Sequence, residues 1–425
     1  MALRRNAAIA ASALLAVGLT IPAAAAGPTT RLVSKAANGD PAASSTDYSA
    51  ISGDGSVAAF TSNADNLPQG DGPATQVYAR DTDAAKTLLV SRTSDGDVGD
   101  DISGTPWLSS SGRYVAFGSR ASNLPDGDGS IQRVYVHDLK TRTTRLVSKN
   151  SDGEVADGHA YPAGLSADGR FAAFRSAGEN LPGAAEIAVG LYVHDRTTGK
   201  TRLVSKTSDG TPVEPDSTQI SSDGDHVVFS SQSSDLPAGN GSTYRIYVRD
   251  LEAGTTTLVS KNSQGDVADG ECGNGSVASN GSVAAFTCRA TNLPGGDGTT
   301  PLVYARDLNA GTTRLVSRNQ GGDPAEDSAY DPFLSGNGRV VSFYTDSDNL
   351  PGTDGEFDVY TFDLRTGTLR VVSRNSEGEL TDEFAETYPP ALSRDGSYVV
   401  FRSSGSNLPG GNGTTTQLYM RGPLD

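Results

Sequence analysis

One tripeptide, Asn-Leu-Pro or Asp-Leu-Pro, recurs seven times along the chain at an almost constant interval. The steps between its leucines are 57, 57, 55, 57, 57 and 58 residues, and the leucines are Leu67, Leu124, Leu181, Leu236, Leu293, Leu350 and Leu408. A turn glycine recurs with the same steps, from Gly55 to Gly396. Two independent markers with one period indicate a repeat protein, in which each copy buries its apolar face against its neighbours.

Each unit is predicted to hold four short strands, named a to d in chain order. In the second unit they lie near 106–109, 114–117, 134–138 and 144–148, and strands b and d are rich in Val, Phe and Leu. Strands a and b are joined by Asp-Gly or Asn-Gly, the pairs that tolerate the positive φ of hairpin turns. Glycine and proline account for 50 and 21 of the 425 residues, which excludes a protein made mainly of long helices.

Two aromatic positions recur in all seven units and fix the register of the strands. One is a phenylalanine in strand b, from Phe60 to Phe401, and the other is a tyrosine in strand c, from Tyr78 to Tyr419. Aromatic residues placed so regularly are predicted to pack between adjacent sheets.

The N-terminal segment has the pattern of a strand d that the last repeat unit lacks. A strand-d pattern at 30–34 precedes any strand a, and the last unit stops after its strand c at 419–421. Pairing these two segments would hide two sheet edges at once. The sequence therefore predicts an all-β, seven-bladed β-propeller with four antiparallel strands per blade, closed by the strand at 30–34.

The repeat resembles the WD-like propeller repeat of the TolB type. The motifs "P-x-L-S-x-D-G-x-x-V-A-F-x-S" and "V-Y-V-R-D-L-x-x-G-T-T-R-L-V-S" carry the resemblance best in Pro390 to Ser403 and Ile246 to Ser260. The resemblance implies a propeller that serves as a protein-interaction module in the cell envelope or gates a prolyl oligopeptidase. The chain has no room for TolB's N-terminal domain or a peptidase domain, and it has no G-x-S-x-G motif. TolB's partners and peptidase activity are therefore not carried over.

The N-terminal segment has the pattern of a secretory signal peptide. Arg4 and Arg5 precede an apolar stretch from Ala7 to Ile21, and Ala26 ends an A-x-A cleavage site. We expect residues 1–26 to be removed and residues 27–425 to form a single exported propeller domain, either secreted or held in the cell envelope. No other long apolar run occurs in the sequence, so we expect no membrane span. We also expect the protein to be a monomer. The net charge of −17 argues against nucleic acid as a partner.

The two cysteines are expected to form a disulfide. Cys272 and Cys288 flank the hairpin turn at Asn280-Gly281, and simple hairpin pairing places position 273 opposite Cys288, one residue from Cys272. An exported protein meets an oxidising environment, which favours the bond.

The long loops of every blade are predicted to lie on one face of the ring. Strand order places the b–c and d–a loops on this long-loop face and the short a–b and c–d turns on the opposite, short-turn face. The long-loop face is acidic and holds most residues that depart from the repeat, so we expect ligand binding there. The candidate binding residues are Asp157, His159, Tyr161, Asp269, Glu271, Asp327, Glu386 and Tyr388.

Calcium is a second possibility at the long loops, although no cofactor is required by any motif. The candidate ligands are Asp126, Asp128, Asp354 and Asp358. Calcium prefers six to eight oxygen ligands, and one loop here offers two carboxylates at best. Asp beside Gly is equally typical of tight turns.

The repeats are nearly uniform, and this favours a binding module without catalytic residues, whose partner is an unknown protein or cell-envelope ligand. The first alternative is a lyase or hydrolase acting on an extracellular polysaccharide or ester, with carboxylates at the mouth of the channel. The second is a structural propeller that binds calcium.

Overall fold

The computed structural model describes residues 27–70, 72–386 and 392–424, so the predicted signal peptide and Tyr388 lie outside the described residues. These residues form seven antiparallel four-stranded sheets arranged as the blades of a propeller. Each blade runs from an inner to an outer strand in chain order: β2 (Thr46–Ile51), β3 (Val57–Ser62), β4 (Gln76–Asp81) and β5 (Lys86–Leu89) in blade 1; β6 (Ser103–Leu108), β7 (Tyr114–Ser119), β8 (Arg133–Asp138) and β9 (Thr143–Leu146) in blade 2; β10 (Ala160–Leu165), β11 (Phe171–Ser176), β12 (Gly190–Asp195) and β13 (Lys200–Leu203) in blade 3; β14 (Thr218–Ile220), β15 (His226–Ser231), β16 (Arg245–Asp250) and β17 (Thr255–Leu258) in blade 4; β18 (Cys272–Val277), β19 (Val283–Cys288), β20 (Leu302–Asp307) and β21 (Thr312–Leu315) in blade 5; β22 (Tyr330–Leu334), β23 (Val340–Thr345), β24 (Asp358–Asp363) and β25 (Thr368–Val371) in blade 6.

Blade 7 combines both ends of the described chain, which confirms the predicted closure of the ring. It contains β26 (Ala385–Glu386), β27 (Val399–Ser403) and β28 (Gln417–Gly422), followed by β1 (Thr29–Leu32) as its outer strand. β1 pairs antiparallel with β28, with Thr29 opposite Gly422 and Leu32 opposite Tyr419. The closing strand thus begins and ends slightly earlier than the predicted 30–34.

The recurrent aromatic residues pack between blades, as predicted. In each blade the phenylalanine and tyrosine rings stack with centroids 5.6–5.8 Å apart. Phe117 and Tyr135 of blade 2 belong to one buried cluster with Ala59 and Val77 of blade 1. This contact is repeated around the ring and supplies the apolar burial that holds the blades together.

A series of backbone hydrogen bonds links neighbouring blades at the short-turn face. The backbone amide of Gly53 donates to the backbone oxygen of Ser110 at 2.9 Å. The backbone amide of Arg394 donates to the backbone oxygen of Gly53 at 2.9 Å. Equivalent bonds join blades 2 to 3, 3 to 4, 5 to 6 and 6 to 7. They join the inner strands of neighbouring blades at this face.

The inner strands of five blades contain a β-bulge near their first residues. The bulged residues Thr105, Asn274 and Asp331 have φ of 47°, 48° and 45°. A bulge inserts one unpaired residue and re-aims the neighbouring side chains. Here it turns polar side chains towards the channel at the long-loop face.

The bulge in β18 explains why the predicted position opposite Cys288, residue 273, was wrong by one residue. Cys272 lies directly opposite Cys288, because the register shifts between Gly273 and Ser276. The Cys272–Cys288 disulfide is present, as predicted. Among the described residues, no helix has the length and apolar character that a membrane crossing requires.

Candidate functional site

The central channel opens at the long-loop face into a cavity of about 400 Å³, called the cup below. The inner strands of six blades line it, with Arg175 added from β11. Trp107, Gln219 and Phe333 line both the cup and a smaller cavity below it, so they form the floor of the cup. The other lining residues are Tyr48, Thr105, Pro106, Tyr161, Pro162, Asp216, Ser217, Thr218, Asn274, Gly275, Ser276, Asp331 and Pro332.

One carboxylate of the cup, that of Asp331, is held in a poorly solvated position. The Nδ2 of Asn274 donates to its Oδ1 at 2.9 Å, and the hydroxyl of Tyr344 also bonds to it. Burial raises the pKa of Asp331 from 3.8 to about 6, and the negative charge of Glu386 adds to the shift. Asp331 therefore changes its protonation state close to neutral pH.

A charged network lies next to Asp331 at the junction of blades 7 and 1. The Nη2 of Arg402 is paired with Glu386, and its Nη1 lies 3.6 Å from the Oδ1 of Asp47. The same Nη1 donates to the backbone oxygen of Thr46 at 3.2 Å. Arg402 thus pairs with Glu386 and ties the last blade to the first.

The floor of the cup contains a buried amide with an unused acceptor. Gln219 is 9% exposed, and its Oε1 has no hydrogen-bond partner within the described part of the chain. The Nη2 of Arg175 donates to the backbone oxygen of Pro215 at 3.2 Å, whereas its buried Nε has no partner among the described residues. Buried polar atoms are normally satisfied, so these two unpaired atoms are unusual for a protein interior.

Three aromatic residues of blade 6 support the wall near Asp331. The ring centroids of Tyr330 and Tyr344 are 5.4 Å apart, and Phe357 lies edge-on to both at 6.1 and 5.7 Å. Tyr344 is held at hydrogen-bonding distance from Asp331 by this packing. Burial raises the pKa of Tyr344, so its hydroxyl keeps its proton and donates.

Two further cavities adjoin the cup and together form a curved groove, called the trough below. One, of about 560 Å³, lies along blades 3 and 4, and the other, of about 260 Å³, lies along blades 4 and 5. Asp216 lines the cup and both parts of the trough, and Tyr244 lines both parts of the trough. The trough also contains Glu186, Glu214, Asp235, Glu271 and Arg289.

Three of the predicted binding residues lie at the cup or trough. Tyr161 lines the cup and is 49% exposed, and Glu271 lines the trough. Glu386 lies close enough to Asp331 of the cup for its charge to raise the pKa of that residue. The structure therefore brings together part of the predicted set.

The other predicted binding residues belong to the loops. Asp157 accepts a bond from the amide of Asn180 at 3.4 Å, and Asp269 accepts one from Thr291 at 2.7 Å. The Nδ1 of His159 accepts a bond from the amide of Gln132 at 3.1 Å. These side chains join d–a loops to b–c loops. Asp327 is exposed in a d–a loop, outside the lining of the cup and trough.

Three of the four predicted calcium ligands, Asp128, Asp354 and Asp358, have protein partners. Asp128 is paired with Arg133 at 2.6 Å and accepts two backbone bonds, which lower its pKa to about 2. Asp126 is exposed, and Asp354 accepts a bond from the amide of Glu356 at 3.2 Å. Asp358 is buried in β24. No group of three or more His, Cys, Asp or Glu suited to a metal occurs in the described ranges.

Several residues of the cup were not foreseen from the sequence. Trp107, Gln219 and Phe333 occupy one repeat position, at which the other described blades have Ala50, Gly164 and Ser276. This position is therefore highly variable between blades. This variability at one inward-facing repeat position is the sequence feature from which the cup could have been predicted.

No protein-family model and no curated protein matches this chain. Similar solved structures are an oligogalacturonate lyase in complex with manganese and an oligogalacturonate lyase from Vibrio parahaemolyticus. They share 13% and 10% identity with TM-scores of 0.53 and 0.54, and each match covers 94% of this chain and 97% or 98% of the other. The β-propeller domain of the Trilobed protease from Pyrococcus furiosus matches with 11% identity and a TM-score of 0.53, covering 89% of this chain and 95% of that domain.

At these identities the likeness shows the fold alone. A protein named as a putative TolB from Agrobacterium tumefaciens matches with 16% identity and a TM-score of 0.44 over 80% of this chain and 95% of that protein. The propeller fold implied by the resemblance to TolB-type repeats is confirmed. Membership in that family stays a prediction.

Proposed function

We propose that the protein is an exported binding module that holds a ligand in the cup, with the rest of the long-loop face as its surround. One observation carries the proposal, namely that the repeat ceases to be uniform at the cup. The buried aromatic pairs are the same in every blade, whereas equivalent cup positions hold Trp107, Gln219 and Phe333. A scaffold needs no such variety, but recognition of an asymmetric ligand does.

The size and chemistry of the cup support this function. Ligand sites are typically concave cavities of about 300–1,000 Å³ with apolar walls and a few polar groups, and the cup, at about 400 Å³, fits that description. Thr218, Asn274 and Asp331 are among the polar residues of its lining.

The fluorescence of Trp107 can report binding of a ligand in the cup. Trp107 is the only tryptophan, and it lies in the floor of the cup, so a bound ligand should alter its fluorescence. We would immobilise the protein and capture components of the cell-envelope fraction. A Thr218→Tyr variant fills the cup, and Thr257→Tyr, on an exposed position of an outer strand, is the matched control.

We expect components that are captured by the wild type and by Thr257→Tyr, are lost with Thr218→Tyr, and change the emission of Trp107 when purified. If filling the cup changes nothing in capture, the cup is not the binding site.

A second candidate function is catalysis at the same site. Asp331, with its pKa raised to about 6, meets the requirement for a general acid or base near neutral pH, and Tyr344 and Glu386 lie beside it. We would screen polysaccharides and esters for turnover. Reproducible activity that disappears in Asp331→Asn, while the variant keeps its melting temperature, would establish an enzyme. Activity that persists in this variant would exclude Asp331 as its acid or base.

A further inference from the structure

We propose that the ligand is a neutral carbohydrate chain, one sugar unit of which enters the cup while the chain continues along the trough. This inference rests on the proposed function and names the chemical class of its ligand. It is carried by the division of the cup into two chemically different halves, by its closed floor and by the charge around it.

The lining of the cup is aromatic on one side and polar on the other. Blades 1 to 3 contribute the aromatic half, which consists of Tyr48, Pro106, Trp107, Tyr161 and Pro162. Blades 4 to 6 contribute the polar half, which includes Ser217, Thr218, Asn274 and Asp331. Each half has exceptions, namely Thr105 and Arg175 in the first and Pro332 and Phe333 in the second. A ligand that matches both halves needs one apolar face and polar groups along another side.

The aromatic half suits the face of a sugar ring. A pyranose presents C–H groups on its ring faces, and these faces pack against flat aromatic side chains. Tyr161 is 49% exposed and is one of two large apolar side chains that are exposed among the described residues. The other, Ile102, lies outside the lining of the cup. Together with Trp107 and Tyr48, which are partly exposed, Tyr161 provides an aromatic surface inside a concave site.

The polar half suits the hydroxyl groups at the edge of the same ring. A sugar hydroxyl both donates and accepts, so it can pair with carboxylate, amide and hydroxyl groups. The half-buried carboxylate of Asp331 has about four acceptor positions, and the Asn274 amide and the Tyr344 hydroxyl use two of them. A hydrocarbon ligand would desolvate these polar groups without pairing them, and a small ion would leave the aromatic half without contact.

The floor of the cup determines which part of a chain enters. The cavity below Trp107, Gln219 and Phe333 measures only about 50 Å³, and it is lined by aliphatic side chains of one repeat position, from Ile51 in blade 1 to Leu392 in blade 7. Such a volume has room for a few water molecules. A chain therefore has no continuous path through the floor, and the sugar unit in the cup is a chain end or a branch.

The trough offers the rest of the chain a path and selects against negative charge. Asp216 joins both parts of the trough to the cup, and Tyr244 lines both parts. Six acidic residues line the cup and trough, compared with two arginines, Arg175 and Arg289. The acidic residues are Glu186, Glu214, Asp216, Asp235, Glu271 and Asp331. A chain of uronic acids would bring one negative charge per sugar into this region, so repulsion favours a neutral chain.

The experiment screens the purified protein against an array of neutral glycans: glucans, mannans, galactans, xylans and chains of N-acetylated amino sugars. Chains of uronic acids and an uncharged, tryptophan-free peptide represent the competing ligand classes. Every glycan that binds is then titrated as a soluble oligosaccharide by calorimetry and by Trp107 fluorescence. We expect at least one neutral chain to bind and to change the emission of Trp107, and we expect uronic-acid chains to bind about 10-fold more weakly or not at all.

Two positions test the two halves of the cup separately. Tyr161→Ala removes a stacking ring and should weaken binding by about 10-fold, whereas Tyr161→Phe keeps the ring and should stay within about threefold of wild type. Asp331→Asn removes a charged acceptor and should weaken binding by about 10-fold. Ile102→Ala removes the other exposed apolar side chain, outside the cup, and as the matched control should change affinity less than about twofold. Because Tyr161 is exposed, its variants test the proposal even if Asp331→Asn does not fold.

Unchanged affinity in Tyr161→Ala, or an equal loss in Ile102→Ala, would overturn the proposal. Tighter binding of uronic-acid chains or of the peptide would overturn it too, as would an array on which no neutral glycan binds. In each of these cases, capture of an envelope component that requires an open cup would leave the proposed function standing. Without such capture the proposed function fails as well.

Discussion

A buried aspartate in blade 6 provides the most quantitative prediction. Asp358 begins β24 and is 2% exposed. Its Oδ1 accepts a hydrogen bond from the hydroxyl of Ser373 at 2.5 Å, but its buried Oδ2 has no partner among the described residues. Burial raises the pKa of Asp358 from 3.8 to about 7, and the charge of Asp354 adds to the shift.

Two other blades show what this position requires. Gln76 and Gln417 occupy it in blades 1 and 7, and each accepts a bond from a serine hydroxyl at 2.6 and 2.5 Å. Their amide groups donate to the backbone oxygens of Gly99 and Ala42 at 3.0 and 2.8 Å. A protonated aspartate can donate a hydrogen bond through its O–H group, as these glutamines donate through N–H. An ionised aspartate has no donor.

The magnitude follows from the two pKa values. Since the folded-state value of about 7 exceeds the unfolded value of 3.8, the folded protein binds the proton more tightly. The wild type therefore loses stability as pH rises from about 4 to about 7, and the loss is complete above that range. A difference of about 3 units corresponds to on the order of 4 kcal/mol. For a domain of roughly 400 residues this is about 5 °C in melting temperature.

Asp358→Asn keeps the shape and supplies a permanent donor. We expect thermal melts to show a variant about 2 °C more stable than wild type at pH 5 and about 5 °C more stable at pH 8, because about a third of the loss has already occurred at pH 5. Asp354→Asn, at an exposed neighbour, should change stability by less than about 0.5 kcal/mol at either pH. A difference between Asp358→Asn and wild type that is the same at pH 5 and pH 8 would refute the reasoning.

Three further predictions concern closure, the disulfide and calcium. Leu32→Ala in the closing strand removes a buried side chain and should destabilise the protein by about 2–5 kcal/mol in urea denaturation, whereas Arg31→Ala beside it should have little effect. Cys272→Ser with Cys288→Ser should lower the free energy of unfolding by about 3 kcal/mol, and unreduced protein should show no free thiol by mass spectrometry. Calcium binding at the four candidate carboxylates predicts a higher melting temperature in millimolar calcium than in excess chelator, and identical melts would exclude it.

The fold could be predicted almost completely from the sequence, because every blade repeats the evidence. Seven copies of Phe and Tyr at fixed offsets set the strand register, and the unpaired pattern at 30–34 indicated how the ring closes. The one local error, at Cys272, came from a β-bulge. Pairing by simple arithmetic assumes a regular hairpin, and nothing in the local residues identifies where the extra residue is inserted.

The cup could be predicted only in part, for the same reason. Tyr161 and Glu386 were identified because they depart from the repeat, and Glu271 was identified as an acidic residue of a d–a loop. Asp331 and Gln219 also depart from it, but whether a side chain near a bulge points to the channel or to the next blade depends on backbone geometry. The partners of Asp331, which is half-buried, come from three different blades, so its perturbed pKa could not be predicted from its neighbours in sequence.

The pairing of β1 with β28 has a consequence for how the protein is made. Thr29 and its partner Gly422 are separated by 393 positions, so β1 leaves the ribosome first among the described strands and its partner last. During synthesis the early blades can assemble in order, but blade 7 must wait until β28 has been made. A chain that stops before β28 would expose the unpaired edge of β1 and the open side of an incomplete ring, both of which promote aggregation. The first described strand therefore stays exposed until the last described strand has been synthesised.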